Sequence, residues 1–268
     1  MIKFDRLKLV CSLYVVENIN ERVFQTIVRD GQLTSYKYQQ DTPFLLQIRK
    51  DFMKNECVIE FTGKILLDRY PELINRDNIR YCIEQINSLG ICEIDTNILF
   101  QTANVAKCDV TKDVTSTEIK EIISHAKQNL SNYDKWEVEK YPNGICLRNK
   151  VTTDRFKKRI VIYNKGKELK QQPNAHFLQS LHQSQILLDY FKNKVRFELN
   201  VSTMVQVRKL LKVAGNSLNK VLASTASPIL SVIDEAIRHN SNNRQTTTFK
   251  DYVYGLILAD NNNDLAEL

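Results

Sequence analysis

The stretch Val105-Ala106-Lys107-Cys108-Asp109-Val110-Thr111-Lys112-Asp113-Val114, with the residues that follow it, decides the fold class. From Val105 to Val114 the residues are rich in β-branched side chains, and apolar and polar positions suit a strand whose side chains alternate between faces. The period then changes. Thr115 and Glu118 have the spacing of a capping box, and Ile119, Ile122, Ile123 and Ala126 fall on one face of a helix. A strand that runs into an amphipathic helix, in a chain with many strand-like runs, predicts an α+β fold.

Working outward gives the same alternation. Towards the N-terminus, Leu7–Val16, Ser35–Gln39, Phe44–Ile48 and Cys57–Leu67 read as strands separated by charged turns. A helix follows: Asp77 is the expected cap, Ile79, Cys82 or Ile83, Ile86 and Leu89 form its apolar face, and Gly90 stops it. Towards the C-terminus, Trp136–Asn149 reads as a hairpin turning at Pro142-Asn143-Gly144. Arg159–Tyr163 is a short strand, Ala175–Phe191 a helix after Pro173, and Val195–Val201 another strand. Ser202–Arg238 has helical spacing, broken near Gly215 and Pro228. The expected architecture is a mainly antiparallel sheet covered by helices, with a C-terminal helical segment. Two similar halves are compatible with this order, although no sequence repeat proves them. The expected divisions are a strand-rich part at 1–100, a second and chemically active part at 101–201, helices at 202–238, and a mobile tail at 239–268.

Composition narrows the function. The chain has 268 residues, of which 43% are hydrophobic and 26% charged, so wholesale disorder is excluded. Seven glycines leave little room for a glycine-rich cofactor cradle. No apolar run approaches the roughly 20 residues that span a bilayer, and no signal-peptide pattern opens the chain. A protein of the cytoplasm is expected. The six cysteines (Cys11, Cys57, Cys82, Cys92, Cys108 and Cys146) form no Cys-x-x-Cys pair, so free buried thiols are expected rather than zinc ligands or disulfides.

The charge is concentrated. Between Arg148 and Lys170 stand nine basic and two acidic residues, so this segment carries the whole net charge of +7. Such a run is either a solvated loop or a footprint for a polyanion. The chemistry inside and around it favours nucleic acid. Lys107-Cys108-Asp109, Arg159–Leu169 and Val195-Arg196-Phe197-Glu198 each place polar groups among apolar neighbours. Buried carboxylates are costly unless paired or bound to a cation, and Asp109, Glu168 and Glu198 together would offer the hard oxygen ligands that suit Mg²⁺ or Mn²⁺. Tyr163 is a candidate nucleophile, with Lys165 and Lys167 and a divalent cation to favour its phenolate. Blander readings stand beside these. A strand tyrosine is more often packing, Arg196 and Glu198 could be a same-face ion pair, and Asp109 and Asp113 could be turn residues.

The three segments, in this order and at these intervals, resemble the gene II/X-type replication initiators of filamentous phages and related plasmid rolling-circle initiators. The resemblance runs from about residue 100 to about residue 215. It implies a DNA nicking and joining enzyme that acts on a double-stranded origin, presented as a hairpin or bent duplex. It also implies that Tyr163 is the nicking nucleophile, forming a phosphotyrosine with the 5′ phosphate, and that Asp109, Glu168 and Glu198 are ligands of Mg²⁺ or Mn²⁺. Lys165 would assist catalysis, while Arg155, Lys157, Lys158, Arg159, Lys167 and Arg196 would contact DNA phosphates. A bacterial host's polymerase and helicase, and a homodimer, are the further partners considered. Two departures stand out: Lys107 replaces the family's arginine before the aspartate, and Asp113 is an additional acid that competes with Asp109 for the site. The four histidines show no His-x-His metal pattern. A mobilisation relaxase with the same chemistry, or a binding-only regulator, are the rival readings.

Overall fold

A computed structural model describes residues 1–129, 136–150, 158–238, 253–255 and 257. Arg155, Lys157 and most of the expected tail lie outside the described residues. The fold is α+β, as the order of elements in the sequence predicts. Among the described residues, ten strands form one antiparallel sheet. They are β1 (Phe4–Ser12), β3 (Gln25–Arg29), β4 (Gln32–Gln40), β5 (Leu46–Asp51), β6 (Glu56–Thr62), β8 (Asn104–Thr115), β9 (Trp136–Tyr141), β10 (Gly144–Asn149), β11 (Lys158–Asn164) and β12 (Lys194–Val201). Two short strands, β2 (Val16–Glu17) and β7 (Glu93–Ile94), pair separately.

The spatial order is β3-β4-β5-β6-β1-β8-β12-β11-β10-β9. Read outward from the central β1–β8 pair, each side follows one rule: the first strand of the half lies innermost, its last strand next, and its first hairpin at the rim. The two halves therefore share a topology. The pairing of β1 with β8, Leu7 opposite Cys108 and Lys8 opposite Lys107, joins them into one sheet.

Strand parity separates the faces. Leu7 and Leu9 of β1, Ile160 and Ile162 of β11, and Val195, Phe197, Leu199 and Val201 of β12 are buried in the main core. Against that face in the second half pack α3 (Ile119–Asn129), α7 (Met204–Leu211), α8 (Leu218–Leu222) and α9 (Pro228–Arg238). The other face carries the intervening polar residues. One end of it is covered by a 3-10 segment, Gly63–Glu72, with α4 (Lys165–Leu169), α5 (Ala175–Gln179) and α6 (Ser184–Phe191). These share a small apolar cluster of Tyr70, Leu73, Leu169, Phe177, Leu187 and Phe191. All six cysteines are free and buried.

Several elements depart from the sequence reading for identifiable reasons. Thr115 does not cap α3; it ends β8, where its Oγ1 accepts a bond from Lys194 Nζ at 2.6 Å, and Ser116 Oγ instead accepts from the Glu118 N–H at 3.0 Å. Asn78, not Asp77, is the N-cap of α1 (Ile79–Ser88). The single helix expected over Ala175–Phe191 is two helices, because Asp68, over a hundred residues away in sequence, accepts the N–H groups of His182 and Gln183 at 3.3 and 2.9 Å. Two elements carry too little periodicity to be read. β3 is a rim strand exposed along most of its length, and α2 (Thr96–Thr102) is a short helix capped by Asp95, which accepts from the Ile98 N–H at 2.9 Å.

Candidate active site

The polar face of the second half is set by strand register. In β8, Asp109, Thr111 and Asp113 point to one side, and they lie opposite Asn200, Glu198 and Arg196 of β12. Arg196 in turn lies opposite Tyr163 of β11, and Asn200 opposite Arg159. Glu198 is thus a diagonal neighbour of Tyr163, within reach of a long side chain. The Tyr163 hydroxyl donates to Glu198 Oε2 at 3.1 Å. Its ring is half-buried, and Gly144 of β10 lies directly opposite. A Cβ at Gly144 would come within 2.6 Å of the Ile162 carbonyl oxygen and 2.7 Å of Tyr163 Cβ, so only glycine lets β10 lie this close to the tyrosine.

Glu198 and Asp109 form a pair bridged by Asn200. The Asn200 amide nitrogen donates to Asp109 Oδ1 at 2.7 Å and to Glu198 Oε1 at 3.4 Å, while its oxygen accepts from Arg159 at 3.2 Å. Burial, and then the charges of Asp5 and Asp109, push the Glu198 carboxyl up to about 7. Burial likewise lifts Asp109 above the ordinary carboxylate range, against the opposing pull of the Asn200 bond, Arg6 and Lys107. The Tyr163 phenol is held well above its usual value by burial and by the neighbouring Glu198 charge. A proton on the phenol therefore faces an acceptor that titrates near neutrality.

Beneath this lies a cationic anchor. Arg196 is fully buried, and its Nε and Nη2 donate to the two carboxylate oxygens of Asp113, both at 2.7 Å. Its Nη1 donates to the Tyr70 hydroxyl at 2.7 Å and lies 3.2 Å from Asp5 Oδ1. Tyr70 completes the ring by donating to Asp5 at 2.8 Å. Burial alone would raise Asp5, but Arg196, followed by Lys165, holds it below its ordinary value. This fork-to-carboxylate geometry fits arginine and not lysine.

The expected residues are distributed as follows. Tyr163, Asp109 and Glu198 come together, and Asn200, Asp5 and Tyr70 join them. Glu168 lies on α4, where Lys165 Nζ meets its Oε2 at 2.6 Å and Asn174 donates to its Oε1 at 3.0 Å. Burial works to raise Glu168, yet the Lys165 pairing holds it below the usual range. The three acids do not form one cluster, and among the described residues no three Asp, Glu, His or Cys side chains are grouped to hold a metal ion. Lys165 is buried, with Nζ 5.8 Å from the Tyr163 ring centre. The competition between the two aspartates resolves by position: Asp113 takes Arg196, and Asp109 faces Glu198's partner Asn200.

Two expected DNA contacts need correction. Arg196 is wholly enclosed by its ion pair, so it positions the site from below rather than touching a ligand. Lys158 has the parity of Ile160 and Ile162, which turns it to the opposite face, where it pairs with Glu235 of α9. Arg159 and Lys167 are exposed. Asn200 was legible as two residues beyond Glu198 on the same strand. Asp5 and Tyr70 carried no local signal, because their role arises only when β1 and the 3-10 segment meet β12.

Among the described residues no helix is long and apolar enough to cross a membrane. No curated protein and no solved structure matches the chain. Residues 75–220, more than half of the chain, match the family described as the N-terminal region of the gene II-type replication-associated protein, and the span contains Asp109, Tyr163, Glu168 and Glu198. The chain belongs to this family of phage replication-associated proteins.

Proposed function

We propose that the protein starts rolling-circle replication by nicking and rejoining one strand of an origin through Tyr163. The observation that carries this reading is the hydrogen bond from the Tyr163 hydroxyl to Glu198 Oε2, on a polar face that also carries Arg159, with Lys167 exposed on the adjoining α4. In the nicking step the phenol oxygen bonds to phosphorus, the phenolic proton passes to Glu198, and the bond from phosphorus to the 3′ oxygen breaks. The 5′ phosphate stays on Tyr163, and the leaving oxygen takes a proton from solvent to become the free 3′ hydroxyl that primes a polymerase. Rejoining reverses these transfers, with Glu198 returning the proton.

Asp109 and Glu198 have the character of incomplete cation ligands: two acids near each other, both raised by burial, with one amide between them. Mg²⁺ or Mn²⁺ held there would neutralise charge on the phosphate and on the developing phenolate. Glu198 offers Oε1 to that side while Oε2 faces the phenol. Glu168, committed to Lys165, holds this lysine beside the ring. Arg159 and Lys167 contact the phosphates on either side of the nick.

The test uses supercoiled DNA carrying the cognate origin, with Mg²⁺ or Mn²⁺, and denaturing gels to detect a covalent adduct. Wild-type protein gives a nicked circle and a protein–DNA adduct. Tyr163→Phe gives neither and binds the origin with unchanged affinity. An adduct with Tyr163→Phe refutes the assignment.

A further inference from the structure

The polar face does not end at the candidate site. It continues across β8 and β1 into the first half of the sheet, where parity places Lys107, Arg6, Lys8, Arg49 and Lys37 on the same side as Asp109. Two of the acids here are sunk and the bases raised, while Glu56, 31% exposed, lies 3.9 Å from Lys54. The Glu60 side chain is 4% exposed and accepts from Arg6, with Lys8 at 3.1 Å. Asp51 is 5% exposed and pairs with Arg49 at 2.8 Å. Above them Lys8 is 37%, Arg49 46% and Lys54 64% exposed. Lys8, Lys37, Arg49 and Lys54 surround a depression of about 360 Å³ whose floor includes Val10 and Val58.

We infer that this face is the docking track for duplex DNA flanking the nick. The inference rests on the reading that Tyr163 nicks DNA, and extends it to residues 1–74, which lie outside the family match. Two arguments support it. Cations held over buried acids present positive charge outward, which complements a phosphate backbone. The face is also continuous with the one on which the scissile phosphate must sit. Five strand steps separate β11 from β5, and six separate it from β4. At about 4.8 Å per step this is roughly 24–29 Å, or about seven to nine base pairs at about 3.4 Å each. A rigid duplex bridges that distance. A single strand is instead gripped by a groove with rings that stack on its bases.

The experiment measures DNA affinity across a salt series, with full-length protein and nick-site duplexes carrying either 4 or 12 base pairs on the flank. Lys37→Gln/Lys54→Gln spares the bases that bind Glu60. On the long duplex this variant lowers the slope of log affinity against log salt by about 1.8, and affinity at 0.1 M salt falls on the order of 10- to 100-fold. On the short duplex affinity and adduct formation are those of wild type. Arg49→Gln, measured alone, lowers the long-duplex slope by about 0.9. Equal slopes on the long duplex overturn the inference, as does an effect seen only when the flank is single-stranded. Light scattering that shows wild-type dimers lost in the variant would assign the face to a second copy, and would overturn it too. Failure of wild type to form any adduct refutes the Tyr163 reading instead, while the salt slopes still decide the track.

Discussion

Replacing Glu198 with glutamine should make the protein more stable and less active, with the stability gain depending on pH. Burial, followed by the charges of Asp5 and Asp109, pushes this carboxyl from 4.5 up to about 7. Between those values the native state holds a proton that the unfolded chain has released, so Glu198 erodes stability as pH rises through the window. Above about pH 7 the loss is complete. At ~1.4 kcal/mol per pH unit it amounts to roughly 3 kcal/mol, an upper value because one edge of Glu198 reaches solvent. Glutamine is uncharged throughout. Its amide still offers an oxygen to one donor, and the Tyr163 hydroxyl can accept from its NH₂. Glu198→Gln is therefore expected to melt close to wild type at pH 4.5 and roughly 6–12 °C above it at pH 8. Nicking at neutral pH should fall about 10²- to 10⁴-fold, since the amide cannot take the phenolic proton. Calorimetric melts of both proteins from pH 4.5 to 8 test the argument. A melting difference that is flat across this range, or a variant less stable at pH 8, refutes it.

Three further outcomes follow from the same geometry. Arg196→Met leaves Asp113 and Asp5 buried without their cation and should cost about 3–5 kcal/mol, whereas Arg196→Met/Asp113→Leu should cost less than the single change; denaturant melts of both decide this. Gly144→Ala should destabilise by about 1–3 kcal/mol and reduce nicking by shifting β10 against Tyr163, although it removes no functional group; a mutant with wild-type melting and nicking would show that the strand can give way. Tyr163→Phe should keep origin binding while losing the adduct, as read by gel shift beside the denaturing gel.

The strand β12 was legible because its period of two is unbroken, whereas β8 slips register against β1 between Lys107 and Val105. Arg196, Glu198 and Asn200 alternate with buried Val195, Phe197, Leu199 and Val201, so one face was apolar and the other chemical before any pairing was known. The same parity, applied to Lys158, turns it away from the polar face; reading the basic run as one patch ignored that alternation. Glu168 misled for a related reason. Asn164 ends the strand and caps α4, accepting from the Lys167 N–H at 2.9 Å, so the period changes from strand to helix between Tyr163 and Glu168. Contacts distant in sequence left no local mark. Asp68 splits the helix at 175–191, and Asp5 and Tyr70 reach Arg196 from the other half of the chain.

The shared topology of the two halves explains why chemistry is expected on only one side. In the first half β5 passes to β6 through the four residues 52–55, and the polar face stays open. In the second half the equivalent connection, between β11 and β12, is expanded to residues 165–193 and contains α4, α5 and α6. That insertion supplies Lys165 and Glu168, and its apolar cluster seats Tyr70 over Arg196. It therefore contributes to the burial that raises Glu198 and the Tyr163 phenol together. The innermost strands give both halves a common floor. The insertion adds a roof to one of them, and burial raises both the Glu198 carboxyl and the Tyr163 phenol there. The uncovered half keeps its acids neutralised by raised bases, and a surface of that kind can hold a polyanion without reacting with it.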